Sequence, residues 1–380
     1  MSKKLIRYNL DEIDKLNARI NIIFGERSNG KSYQVKHKKA VEKYIKTKKR
    51  FILMRRLREE ITSEKIEQYF QDVDVAKLTD NQFNCIVLYR KALYFAKYDS
   101  ESGKTKKGDK IGYVVALSTE QNYAGASYLD VEDIIFEEFM SRSVYLPNEV
   151  NKLMNFYATV DRKRLTTRLW LVGNSISRVC PYISEWGLSK VFSYMKQGEI
   201  KLVEVETETD KVKIAIEYCL STGQSSGTIG TNAGMINTGA WESHPQPHLP
   251  KSKNDYKVLF RFGFQYKEFK FLCEYLLDNE TKDTIFFIYP YFKEFTARTI
   301  VFSDIVKTTK YWQRDIYNIS IRNEKLRNIF QSFKENKIFF SDDMCGTDFK
   351  QCIDFLLRKW YNDFRIKKII RRFKSNCRRK

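Results

Sequence analysis

Residues 20–32 read INIIFGERSNGKS: a mostly apolar run at 20–24, then GERSNGKS at 25–32. The second part fits the spacing G-x-x-x-x-G-K-[ST]. Its flanks fit as well, with a short β-branched run before it and a helix-compatible stretch after it. Gly25 and Gly30 let the backbone wrap so that the N–H groups of the loop, through Glu26, Arg27, Ser28 and Asn29, face a polyphosphate. The helix opening at Lys31, Ser32 and Tyr33 adds its positive dipole end. Lys31 reaches toward β- and γ-phosphates, and the Ser32 hydroxyl is a ligand for Mg2+. The stretch predicts a strand–loop–helix unit that binds ATP with magnesium.

A phosphate-binding loop does not hydrolyse ATP unaided. It needs one carboxylate to order the metal and a second to align the attacking water. DIIFEEF at 133–139 ends an apolar run with Glu137 and Glu138, in those two roles. Many such ATPases carry Asp at the first position; the longer arm of Glu137 still reaches through water. RLWLVGN at 168–174 is the next apolar run, and its Asn174 is placed to face the γ-phosphate. The order of phosphate-loop strand, acidic strand and polar-ended strand suits the additional-strand (ASCE) class of P-loop ATPases, which work on polymers as rings. In VDRKR, Arg162 and Arg164 stand where such rings place an arginine finger on the neighbour's nucleotide. Arg55, Arg56 and Arg58 follow the second apolar run, on the phosphate side.

Up to about residue 190, short runs at 20–24, 51–54, 85–89, 133–139 and 168–174 alternate with helical stretches. That alternation predicts an α/β layered domain on a mostly parallel sheet, its strands buried on both faces. KALYFAKY and IGYVVALS (91–98 and 111–118) predict a hairpin with a long, charged tip. Residues 221–254, rich in Gly, Ser, Thr and Asn, read as a mobile connection, with His244 and His248 as loop residues. Beyond it, residues 255–380 predict a smaller α/β domain with helices near 322–335 and 347–373. It ends in a tail (365–380) holding nine Lys/Arg and no acid. The domains expected are 1–190, a linking region over 191–254, and 255–380.

The chain of 380 residues carries a net charge of +21, which points to a polyanionic partner, nucleic acid above all. Its 7 cysteines are scattered without C-x-x-C spacing, and with 3 histidines a zinc cluster is not expected. No apolar run approaches the ~20 residues that span a bilayer. The reading is a reduced, intracellular protein without a membrane partner.

GERSNGKSY, FILMRRLREE, DIIFEEF, YLPNEVNKLMNFYATVDRKR and LVGNSISRVCPY, in this order, resemble the DNA-packaging ATPases (encapsidation proteins) of small, short-tailed double-stranded-DNA phages. The resemblance covers roughly the first 190 residues. It implies a homomeric ring, usually a pentamer, at the portal vertex of an empty procapsid in the host cytoplasm, pumping double-stranded DNA inward. It assigns Lys31 and Ser32 to phosphate and metal, Glu137 and Glu138 to metal and water, and Arg162 to the trans finger. Arg58 falls where relatives carry another basic residue. Lys104, Lys106, Lys107 and Arg142 become candidates for contact with DNA. It further implies a C-terminal domain of RNase H-like fold that has lost its nuclease acids, bridged in some relatives to the portal by a structural RNA. KVLFRFGF, the first strand expected there, has no aspartate for a two-metal nuclease. Two other readings remain: a ring helicase or DNA-transfer pump of the same class, and a non-enzymatic nucleic-acid-binding portal adaptor.

Overall fold

The computed structural model describes residues 8–123, 125–141, 145–206, 210–221, 238–296, 299–304, 313–315, 335 and 337–356. The chain divides into two compact units, Met1–Glu242 and Ser243–Lys380.

The first unit is built on nine strands: β1 (Ile20–Gly25), β2 (Arg50–Arg55), β3 (Cys85–Tyr89), β4 (Ala92–Asp99), β5 (Lys104–Ala116), β6 (Val131–Glu137), β7 (Arg168–Asn174), β8 (Ile200–Glu206) and β9 (Lys211–Tyr218). Their order is β3-β4-β5-β2-β6-β7-β1-β9-β8. The stretch from β5 to β9 is parallel throughout; β3, β4 and β8 pair antiparallel at the two ends. The polar-ended strand β7 thus lies between the phosphate-loop strand β1 and the acidic strand β6.

Strand alternation divides the core between two faces. Ile22, Phe24, Met54, Phe136 and Leu171 pack on one face with Phe156 of the helix Glu149–Asp161 and with Tyr182 and Phe192. Ile23, Leu53, Ile135, Trp170 and Val172 pack on the other with Val35, Val41, Tyr44 and Phe70. The helix that follows the phosphate loop and the helix Ser63–Phe70 therefore share a face, which decides what surrounds the site.

Three expectations need correction. CIVLY is not a buried parallel strand but the outer antiparallel strand β3, with only Ile86 fully buried. The long hairpin tip is itself strand: β5 begins at Lys104, and Lys104 and Lys106 lie opposite Asp99 and Lys97 on β4. The region 191–254 is not a linker throughout. β9 pairs with β1 beside the phosphate loop, and Trp241 packs its ring 5.1 Å from that of Phe24. Residues 211–218 alternate charged and apolar side chains as a strand does, but the Gly/Ser composition of the stretch after them dominates the region, and that composition says nothing about one anchoring Trp. Residues 222–237 lie outside the described residues.

The second unit holds β10 (Tyr256–Tyr266), β11 (Phe269–Asp278), β12 (Thr284–Pro290), β13 (Val301–Ser303), β14 (Gln313–Asp315) and β15 (Ile338–Phe340). Their order is β14-β13-β10-β11-β12-β15. β10, β11 and β12 form an antiparallel meander, with β13 parallel to β10, β14 parallel to β13, and β15 parallel to β12. Helical residues 343–356 bury Phe349 against Phe264 and Phe271. The helix expected near 322–335 and the basic tail lie outside the described residues.

Candidate nucleotide site at the carboxyl ends of the central strands

β1, β6 and β7 run parallel, so their carboxyl ends open on one edge of the sheet. A cleft of ≈ 780 Å³ lies there, lined among others by Asn29, Lys31, Ser32, Glu137, Glu138 and Asn174. These residues, far apart in sequence, are the ones the motifs singled out.

The loop backbone needs its glycines. Gly30 has φ 95°, in the left-handed region, and directly precedes the helix Lys31–Val35. Asn29 Oδ1 accepts from the Lys31 N–H at 3.1 Å, and Tyr8 N–H donates to the Asn29 carbonyl at 3.2 Å, so the loop is braced from both sides. Gly239 (φ 68°) passes beneath it so closely that a Cβ would stand 2.8 Å from Glu26 N. Ser175, just past β7, donates to the Gly239 carbonyl at 2.7 Å and fixes that passage.

Lys31 is 4% exposed. Its Nζ donates to the Glu26 carbonyl at 2.6 Å and to Asn174 Oδ1 at 2.8 Å. Burial holds its pKa below the ordinary lysine value, with Glu137 among the groups opposing that shift. Asn174 thereby ties the end of β7 to the loop lysine.

Glu137 is buried at the end of β6. Ser32 Oγ donates to its Oε2 at 3.0 Å, and the Tyr69 hydroxyl donates to its Oε1 at 2.6 Å. Burial raises its pKa; the hydrogen bond from Tyr69 and the charge of Arg55 oppose the rise. Consecutive strand residues point to opposite faces, yet both acids line the cleft. The chain turns to allow this: Glu138 has φ 58°. Its side chain is 74% exposed, with Arg55 Nη1 at 3.9 Å from its carboxylate.

One hydroxyl and one carboxylate, 3.0 Å apart, are hard oxygen donors. They fit magnesium, which keeps several waters and takes other ligands from phosphates. Among the described residues no group of three His, Cys, Asp or Glu forms a cage for a metal.

The motifs did not announce Tyr69, Glu149 or Tyr182, nor the partners of Arg56. Tyr69 comes from the helix Ser63–Phe70, in the connection between β2 and β3. Arg56 and Glu149 form a buried ion pair at 3.0 Å. From it Arg56 donates to the carbonyls of Glu138 and Phe139 at 3.1 and 2.6 Å, and Tyr182 donates to Glu149 at 2.6 Å. This network holds the turn that presents Glu138. The basic run at 55–58 was the only trace of it in the sequence.

Other candidates stand elsewhere. Arg162 caps the far end of the helix Glu149–Asp161, at the edge where β6 and β7 begin, and donates to the Ala126 carbonyl at 2.8 Å. Arg164 is committed within the chain to the carbonyls of Leu129, Val131 and Val160 at 2.6–3.0 Å. Arg58 is exposed and does not line the cleft. Lys104, Lys106 and Lys107 are exposed on β5, and Arg142 lies outside the described residues.

A largely parallel sheet with this loop, acid and asparagine converging on one cleft defines a P-loop α/β protein. A family model described as "Podovirus DNA encapsidation protein (Gp16)" matches residues 1–213. The chain belongs to that family. It is 31% identical over 185 residues to the DNA packaging protein of Bacillus phage phi29 (48% of this chain, 50% of that protein). It is 32% identical over 199 residues to the DNA packaging protein of Bacillus phage B103 (50% and 56%). The match thus spans about half the length of these relatives. A chain of the bacteriophage phi29 viral genome packaging motor assembly shares the fold, with a TM-score of 0.55 and 22% identity over 94% of this chain and 100% of that one.

Proposed function

We propose that this protein is the ATPase of a DNA-packaging motor, a homomeric ring (a pentamer) at the portal vertex of a viral procapsid in the host cytoplasm, driving double-stranded DNA inward. The observation that carries the ATPase reading is the convergence of Lys31, Ser32, Glu137 and Asn174 in one cleft, with β7 between β1 and β6. That strand order is the one expected of the additional-strand class.

In this reading the loop amides and Lys31 hold the β- and γ-phosphates, and Ser32 and Glu137 hold magnesium and its water shell. Magnesium, when bound, neutralises charge on the phosphates. Glu138 accepts a proton from, or orients, the attacking water, and its exposure leaves room for that water. Asn174 links the γ-phosphate position to Lys31. Arg162, on the sheet edge opposite the cleft, serves a neighbour's site rather than its own.

Lys97 and Lys106 face each other across the β4–β5 ladder, a like-charge pair that costs stability when isolated. A phosphate backbone relieves that repulsion, which supports Lys106 as a DNA contact; Lys104 and Lys107, exposed on the same strand, and Arg142 are proposed with it from the family resemblance. The meander β10–β11–β12 with β13 and β14 parallel beside β10, and β15 added beyond β12, supports an RNase H-like fold for this unit. β10 carries no acid, which supports a vestigial nuclease kept for docking on nucleic acid, the portal or the capsid.

The test is ATP-dependent protection of DNA from added nuclease by purified empty procapsids. Protection that requires this protein and ATP supports the proposal. ATP-driven unwinding of forked DNA without protection would assign it to a helicase instead.

A further inference from the structure

Tyr69 belongs to none of the motifs, yet its hydroxyl is 2.6 Å from Glu137 Oε1 while Ser32 Oγ is 3.0 Å from Oε2. The two donors grip opposite oxygens, and together they set the plane of the carboxylate. Tyr69 is itself firmly placed. Thr62 caps its helix by accepting from Lys65 N–H, and Ile66 and Phe70, four residues apart, anchor that helix in the core. The Tyr69 ring meets Phe70 edge-on at 4.9 Å and has Lys36 Nζ at 4.6 Å and the Arg55 guanidinium at 5.6 Å from its centre. Lys36, from the helical segment that continues the phosphate-loop helix, also donates to the Tyr69 carbonyl and pairs with Asp72. The β2–β3 connection is thus clasped to the loop helix at the residue that reaches the acid.

We propose that Tyr69 positions Glu137 for ordering magnesium, by holding one carboxylate oxygen so that the other is presented beside Ser32. The proposal rests on the nucleotide-site reading above and adds a residue to it. The chemistry favours a phenol at this place. An arginine or lysine would orient the acid too, but its charge would compete with the metal for the carboxylate. A neutral O–H donor fixes direction and leaves the negative charge in place. The ring also keeps Lys36 and Arg55 within cation–π range, so replacing it with a charged side chain would set like charges together.

The experiment uses the intact chain with Tyr69→Phe, which keeps the ring and its cation contacts and removes only the donor. Binding of a fluorescent ADP is titrated with and without Mg2+, and ATP hydrolysis is followed against magnesium concentration. Metal-free nucleotide affinity should stay within about twofold, because Lys31 and the loop amides are untouched. Half-saturation by magnesium should rise roughly tenfold, the scale of one hydrogen bond to a charged group. The rate at saturating magnesium should largely recover, a split that general loss of folding does not produce. In a Glu137→Gln background the same change should have almost no effect on the remaining magnesium response. An unchanged magnesium dependence, or an equal penalty in both backgrounds, overturns the inference while leaving the nucleotide site intact. A parent chain with no magnesium-dependent nucleotide binding overturns the site reading and the inference with it.

Discussion

Lys31→Ala and Glu138→Gln should both stop ATP turnover but part company at binding. Lys31 is 4% exposed before any ligand arrives, and its amine is held by Glu26 and Asn174 at 2.6 and 2.8 Å. Its desolvation cost therefore falls on folding, not on binding. A unit charge about 4 Å from a phosphate oxygen interacts by ~4 kcal/mol at an effective dielectric near 20. The phosphate loses some hydration on entry, so about 3 kcal/mol survives, or roughly 100-fold in Kd. The Glu138 side chain is 74% exposed and bonds to no part of the loop, so neutralising it should change Kd by less than about threefold. Its loss should cut hydrolysis by roughly 10²–10⁴, the range of a positioned acid–base group. Equilibrium binding of a fluorescent ATP analogue and phosphate release, with melting temperatures recorded beside them, measure both effects. ATP bound by Lys31→Ala within threefold of the parent refutes the assignment of the loop lysine. Hydrolysis by Glu138→Gln near the parent rate refutes that of the water-aligning acid.

Three further outcomes follow from the geometry. Arg162→Ala should bind ATP normally yet hydrolyse it roughly 10³-fold more slowly. Mixed with inactive Glu138→Gln it should recover activity in co-assembled rings; absence of recovery there places Arg162 in cis or in folding. Glu149→Ala strands the buried Arg56 guanidinium and should lower stability by about 3–5 kcal/mol, read by denaturant unfolding, whereas a surface ion pair would cost under about 1 kcal/mol. Glu217 on β9 has its pKa raised by burial to about 7 from 4.5, against the pull of the Tyr8 hydroxyl at 2.8 Å. Between those values the native state holds a proton that the unfolded chain releases, so stability is full below about pH 4.5 and declines as pH rises to about 7. The decline, on the order of 3 kcal/mol, should be absent in Glu217→Gln when unfolding is measured at pH 5 and pH 8.

Legibility in the sequence tracked the range of the interactions involved. A loop motif of this kind is local: Gly25, Gly30, Lys31 and Ser32 fall within eight residues, so spacing alone marks them as candidates. Apolar runs ending in Glu137 and Asn174 are also local, and strand polarity then carries their ends to one edge. β8 and β9 were missed although 200–206 and 211–218 alternate apolar and charged residues as strands do, because the Gly/Ser-rich stretch after them set the reading of the whole region; pairing with β1 makes 211–218 a member of the sheet. Trp241 was missed for the same reason, since its value lies in Phe24 and Tyr218, not in its neighbours.

The sequence by itself determined that a loop of nucleotide-binding spacing sits on a parallel α/β sheet, that two acids and an asparagine end the neighbouring apolar runs, and that the chain is strongly basic. Only the tertiary structure decided that β7 separates β1 from β6 and that Glu138 leaves the strand at φ 58°. It alone showed that Arg164 is spent on backbone carbonyls while Arg162 lies on the far edge of the sheet. It alone brought Tyr69 to Glu137, 68 residues away in sequence. Contacts of that kind follow from how sheet faces are covered, and a side chain's partner across the core leaves no periodic mark on the chain that carries it.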